Sequence, residues 1–178
     1  MKLKFLSFNE LYREHKRAFW FQSIVAILIT LGVVFTLGGV TSSTILSAIG
    51  ASSLAASTFI AFGLPDSPVA KAQRMIGSYV IGILVGVFFY WISNDTYAWT
   101  HWMTVITHKE ICSGLAVGLT MLIMFLLDLE HPPAAGLSLG IVIDEWNWWV
   151  LIVVLLSIVI IALLRVLMRP WLHMLMGN

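Results

Sequence analysis

Apolar residues run through this chain in long, nearly uninterrupted blocks, and the charged residues fall between them. No Asp, Glu, Lys or Arg occurs from Ala18 to Pro65, a block of 48 residues. Further charge-free blocks cover Met75–Asn94 (20 residues), Ile111–Leu127 (17), His131–Ile143 (13) and Trp146–Leu164 (19). A helix needs about 20 predominantly apolar residues to cross the hydrocarbon core of a bilayer. The first block holds two such helices, split by Gly38-Gly39 and Thr41-Ser42-Ser43-Thr44. The predicted spans are then Phe19–Gly38, Ile45–Leu64, Ala72–Ile92, Ile111–Leu127 and Asn147–Leu167. Transmembrane β-strands would instead alternate over about ten residues. The fourth block is too short to cross unaided.

That short block begins at a break. Proline disfavours the α conformation in the residue before it, so in Asp128-Leu129-Glu130-His131-Pro132-Pro133 both His131 and Pro132 resist a helix interior. The preceding helix should end near Glu130. Pro133 suits the first turn of a new helix, where a missing N–H costs nothing. A helix over Pro133–Ile143 would be only about 17 Å long at 1.5 Å per residue. It must therefore start well inside the membrane, where non-helical backbone is tolerated only when buried in protein or lining a water-filled cavity. Gly50-Ala51-Ser52-Ser53, midway along the second span, is a softer break. It lies in a hydroxyl-rich run (Ser43, Thr44, Ser47, Ser52, Ser53, Ser57, Thr58). Gly followed by Ser-Ser can end one half-helix and cap the next; alternatively the helix is continuous and its hydroxyls bond back to carbonyls one turn earlier.

Composition narrows the class. The chain of 178 residues is 60% hydrophobic and 11% charged, with ten Lys/Arg against nine Asp/Glu. Soluble domains carry about 25% charged residues, so a soluble globular domain is excluded. Clustered basic excess, the footprint of nucleic-acid binding, is missing. The predicted fold is all-α, a polytopic membrane helix bundle of about six segments including short or broken helices. If the short block counts as a crossing, nine of the ten Lys/Arg share one side (the N-terminal segment, the Asp66–Arg74 loop, Arg165 and Arg169), leaving Lys109 alone opposite. Trp91, Tyr97, Trp99, Trp102, Trp146, Trp148 and Trp149 gather on Lys109's side. By the positive-inside rule both termini are cytoplasmic, and a bacterial inner membrane is the expected location. Residues 1–18, with Phe5, Phe8, Leu11 and Tyr12 among charges, read as an interfacial amphipathic helix, or else a basic tail. Residues 19–169 form the membrane domain and 170–178 a C-terminal tail. No secretory signal is read at the N-terminus. Gly82/Gly86, Gly114/Gly118 and Gly136/Gly140 let helices approach closely, and leave a homodimer face open. Cys112, the one cysteine, is expected to be a small apolar filler.

There is a weak internal echo: Asp66-Ser67-Pro68-Val69-Ala70 and Glu130-His131-Pro132-Pro133-Ala134 share an acid, a polar residue, Pro, any residue and Ala. Broken helices at corresponding places in two repeats point to a transport site.

His131-Pro132-Pro133-Ala134 after the Gly114–Asp128 span, with Gly50-Ala51-Ser52 and Pro65-Asp66-Ser67-Pro68 upstream, resembles the HPP family of integral membrane proteins, over about Gly38–Leu164. That resemblance implies a multi-span protein, and plastid and cyanobacterial relatives are associated with nitrite transport. Some members carry soluble regulatory domains, which this chain is not expected to have. Here Ala135-Gly136-Leu137 stands where the family more typically has Gly-Ala, so the substrate need not carry over.

From the residues themselves, a helix N-terminus binds anions through free N–H groups and its dipole. The N–H groups of Ala134, Ala135 and Gly136 after Pro133 are the expected donors. A second half-helix from Ser52, with the Gly50, Ala51, Ser52 and Ser53 segment facing His131, Pro132, Pro133, Ala134 and Ala135, would complete a site for a small inorganic anion. His131 changes charge near neutral pH, and with Asp128, Glu130, Asp66 and Ser67 it would couple a proton or hold the break together. Expected partners are the anion, the bilayer and a second copy; no cofactor or metal is implied. The alternatives are an enzyme built on Asp128, Glu130 and His131, and a transporter of another solute. One His and two carboxylates are thin for a metal centre.

Overall fold

The computed structural model describes residues 15–42, 44–96 and 105–175. Among them are six α-helices: α1 (Lys16–Val40), α2 (Thr44–Gly63), α3 (Ala72–Thr96), α4 (Val105–Leu126), α5 (Pro133–Ile143) and α6 (Trp148–Met168). Short 3-10 turns lie at Pro68–Ala70 and Arg169–Trp171. No strand occurs among the described residues. Five helices are long and apolar enough to cross a bilayer, and α5 is the short one. The expected interfacial helix before Lys16, and Tyr97, Trp99 and Trp102, lie outside the described residues. α1 begins at Lys16, so residues 16–18, assigned from the sequence to the interfacial segment, belong to the first span.

Hydrogen bonds at the helix ends give the topology. At one end Asn147 Nδ2 donates to the Val40 carbonyl (3.4 Å), Lys109 Nζ to the Ile143 carbonyl (3.4 Å), and the Leu46 N–H to Asp144 Oδ2 (3.2 Å). Asp144 thereby caps α2, placing a carboxylate where the helix dipole favours it. Trp146 packs edge-on against Tyr90 and Trp148 at the same end. At the opposite end Arg74 binds Asp128, Arg169 binds Asp66, and the Arg165 guanidinium donates to the Pro65 carbonyl. The first is the Trp-rich end, the second the basic end. The chain enters α1 and leaves α6 at the basic end, where the rings of His15 and His173 stand 4.9 Å apart. Six segments with both ends on one side is what the charge pattern requires, and α5 supplies the sixth by reaching the Trp-rich end.

α5 is apolar all round, the pattern of a helix enclosed by others. Seven of its eleven residues are buried, packed between α2, α3 and α4. Its close partner is α3, whose small residues form a track. Leu129 lies over Gly77, Ser78 donates to the Leu129 carbonyl, the Ala134 carbonyl lies over Gly82, and Ser138 and Ile141 over Gly86. Gly140 likewise receives Ile49 of α2. Of the three Gly pairs, then, Gly82/Gly86 and Gly140 are consumed inside the chain. Gly114, Gly118 and Gly136 face open space. Cys112 is buried with Val85, Ala116 and Val142, as a filler should be.

The tail beyond α6 is a docked element. Gln22, 1% exposed within α1, donates through Nε2 to the Phe62 and His173 carbonyls and accepts the His173 N–H at Oε1 (3.1 Å). Leu175 N–H donates to the Gly63 carbonyl (3.2 Å). The tail thus straps α1 to α2 at the basic end.

A methyl group at Gly82 would sit 2.5 Å from the Ala134 carbonyl oxygen, backbone that cannot rotate away. Gly82→Ala is expected to cost about 1–3 kcal/mol by overpacking. Gly114→Ala, with nothing within 4 Å, should be near neutral. Thermal unfolding in detergent, followed by size-exclusion chromatography, measures both.

Candidate functional site

The fourth helix ends at Leu126, and the chain then turns back into the bundle. Asp128 takes a left-handed conformation (φ 53°), the reversal that sends the next residues inward. Both of its carboxylate oxygens accept from Arg74 Nη2 at 2.6 Å. From there the backbone climbs along α3 past Gly77 and Ser78 to His131, and α5 starts at Pro133. Its height is set by Ser53, tenth of the twenty residues of α2, whose hydroxyl donates to the Pro133 carbonyl at 2.6 Å. The short helix starts at the mid-level of the bundle, as the thirteen-residue block predicted.

His131 is fully buried beneath this break. Its Nδ1 stands 2.9 Å from the Val69 carbonyl and its Nε2 2.8 Å from Ser57 Oγ. A carbonyl can only accept, so Nδ1 carries a proton. Ser57 Oγ also lies 2.9 Å from the Tyr79 hydroxyl and 3.0 Å from the Ser53 carbonyl, and the Tyr79 hydroxyl is 2.7 Å from Ser53 Oγ. The result is a continuous polar chain from the Val69 carbonyl through His131, Ser57, Tyr79 and Ser53 to the Pro133 carbonyl. The same helices carry buried apolar residues of the main core, Leu54, Phe62, Met75 and Ala134 among them. Polar groups at such depth are costly unless bonded to one another, and here they are.

The two echoing Pro segments meet in this chain. Pro68 opens the 3-10 turn Pro68–Ala70 and Pro133 opens α5; the Val69 carbonyl of one accepts from His131 of the other. Asp66 and Ser67 line, with Leu64, Pro68 and Met174, a cleft of about 500 Å³ at the basic end. Asp66 is taken by Arg169 and neither residue joins the His131 chain.

Three expectations need correction. α2 is continuous from Thr44 to Gly63, so there is no half-helix starting at Ser52. Gly50 is buried against Leu37, and Ala51 is half-buried. Ser52 is exposed, its hydroxyl bonded back to the Ile49 carbonyl at 3.0 Å; the alternative of a continuous helix with back-bonded hydroxyls prevails. Second, the α5 N-terminus is not an open anion nest. The N–H groups of Ala134 and Ala135 donate to the His131 and Pro132 carbonyls, both at 3.1 Å. Tight turn bonds of this kind satisfy orphan N–H groups in a place without water. Third, Asp128, Glu130 and His131 do not form a cluster: Asp128 binds Arg74 near the surface, Glu130 is exposed, and His131 is buried with hydroxyls. Among the described residues no three His, Cys, Asp or Glu side chains are placed to share a metal.

Sequence reasoning passed over Tyr79, Ser78 and Gln22. Each had a signal. Tyr favours the membrane interface, so a phenol well inside an apolar span announces a buried hydrogen-bond partner. The same holds for Gln22 in the 48-residue charge-free block.

The left-handed turn at Asp128 yields a test. Asp128→Val should destabilise by about 1–2 kcal/mol through backbone strain, whereas Asp128→Gly relieves it and gives up only a surface ion pair, worth little. Unfolding in detergent would rank the Gly variant with the wild type and the Val variant below both.

A family model described as HPP, transmembrane region, matches residues 12–173. No curated protein and no solved structure matches the chain.

Proposed function

The chain belongs to the HPP transmembrane family, and we propose that it moves a small inorganic anion, nitrite foremost, across the membrane through the His131 site. The observation that carries this reading is the polar chain of His131, Ser57, Tyr79 and Ser53 beneath a helix that starts at mid-depth. Irregular backbone and ionisable groups at that depth mark solute pathways. No Lys or Arg lies in the middle of any span, so an anion there would be held by hydroxyls and the imidazole. Ser57, Tyr79 and His131 Nε2 form a compact set of groups that can turn their protons from one another to a bound oxyanion. Nitrite, small and with two acceptor oxygens, matches a set of two or three donors.

His131, Ser57 and Tyr79 are fully buried, so the structure corresponds to an occluded state in this reading. Access from the basic end would begin at the cleft lined by Asp66, Ser67 and Pro68 and would require the Val69–His131 bond to open. The orientation adopted is the one the Lys/Arg bias gives, with the basic end cytoplasmic in a bacterial inner membrane.

The test is nitrite uptake into liposomes holding the purified protein, against protein-free vesicles. His131→Ala and Tyr79→Phe should lower the protein-dependent flux by about tenfold or more, a loss of about 1.4 kcal/mol or more at the site. Ser52→Leu, on the outer face of α2, should leave it unchanged. Wild-type flux equal to that of empty vesicles for nitrite and other small anions rejects the reading.

A further inference from the structure

The hydrogen bonds around Ser57 have a property that a merely structural network does not need. Ser57 Oγ faces two groups that can only accept while Nε2 is bare, His131 Nε2 at 2.8 Å and the Ser53 carbonyl at 3.0 Å, beside the Tyr79 hydroxyl at 2.9 Å, which can donate or accept, and a hydroxyl has one proton to give. When His131 is neutral, Nδ1–H is fixed on the Val69 carbonyl and Nε2 is a bare acceptor, so Ser57 donates to it. When His131 is cationic, Nε2–H donates to Ser57 Oγ, and the Ser57 proton rotates onto the Ser53 carbonyl. Every contact of the imidazole is satisfied in both states, and no heavy atom moves. The Ser53 carbonyl loses nothing in the neutral state, since it is also the acceptor one helical turn before the Ser57 N–H.

We infer that His131 is a reversible proton-binding site that carries a proton together with the anion, and that Ser57 is the positioning hydroxyl that lets the buried site accept either charge state. This rests on the transport reading above and adds the coupling ion to it. Among the described residues, the imidazolium is the only cation in the middle of the bundle available to balance an anion. The surroundings leave it that role. From α2 the Ser57 hydroxyl meets the ring at Nε2, and from α3 the Tyr79 phenol stands beside it, with ring centroids 6.0 Å apart. Arg74, further down α3, is held by Asp128. The 3-10 turn presents the Val69 carbonyl, and the following Lys71 is exposed. In the connection itself Glu130 is exposed, and α5 contains no ionisable residue. Among the described residues no carboxylate is therefore in place to neutralise a protonated His131, which leaves its charge for the substrate. A proton and an anion entering together bring no net charge into the apolar interior, and the atoms balance: one H⁺ binds Nε2 on loading and leaves it on release.

Two measurements on the full chain test this. In nanodiscs with ¹⁵N-labelled histidine, the His131 ring should change reversibly from the Nδ1–H neutral form to the doubly protonated form as the pH is lowered. This needs no variant to fold, and His131→Gln serves only to assign the signal. In liposomes, nitrite uptake above that of protein-free vesicles, which report passive nitrous acid, should acidify a trapped dye by one proton per nitrite. That uptake should fall by about tenfold per pH unit on the alkaline side of the His131 titration. Ser57→Ala should flatten this pH profile, and Ser57→Thr, which keeps the hydroxyl, should restore it. A His131 fixed in one protonation state throughout, or nitrite uptake without proton uptake, overturns the inference and leaves anion transport standing. A protein whose His131 titrates but which moves neither nitrite nor another small anion overturns the transport reading instead.

Discussion

At mid-membrane there is no water to accept a hydrogen bond from a broken backbone, and this structure is organised around one such break. Between Asp128 and Pro133 the chain runs without helical geometry from the basic end to a depth where each unpaired polar atom is expensive. The remedies come from every neighbour. Ser78 answers the Leu129 carbonyl, Ser53 answers the Pro133 carbonyl, and Ala134 and Ala135 turn their N–H groups back on His131 and Pro132. The glycine track on α3 exists for the same reason, since only a surface without side chains lets the returning chain come close enough for these bonds to form.

Satisfaction of the break and formation of the site are thus one event. His131 fastens the break to the 3-10 turn through Val69 and to α2 through Ser57. The turn is in turn held at the basic end, where Asp66 meets Arg169 and the Pro65 carbonyl meets Arg165. The polar groups form a column from that end to the middle of the bundle, while the Trp-rich end is closed by helix caps and aromatic packing. An asymmetric bundle of this kind has one end built for charge and one for the membrane interface.

The sequence announced the architecture because charges cannot hide in lipid: block lengths gave five spans, the Pro-Pro pair gave the short helix, and the Lys/Arg bias required a sixth segment. It also marked His131 and the echoing Asp66–Ala70 segment, which proved to be in contact. It was silent on which face of α2 carried the site. Ser52 and Ser53 are adjacent in sequence, yet a helix turns about 100° per residue, and packing alone decides that Ser53 faces inward and Ser52 outward. Whether Ala134 and Ala135 would keep free N–H groups was equally illegible, because it depends on a tight turn at Pro132 that no pattern of residue types dictates. Tyr79 was readable in principle, as a phenol displaced from the interface where such residues usually sit.

The cap that Asp144 provides for α2 reaches across 98 residues of chain, and Ser53 and Ser57 wait for partners more than seventy residues downstream. A ribosome making this protein therefore releases α2 and α3 long before the segment that completes them. In that interval Ser57 can hold the Ser53 carbonyl of its own helix, so that hydroxyl need not enter lipid unpaired. His131 reaches Ser57 only once the segment after α4 has been made and folded back into the bundle.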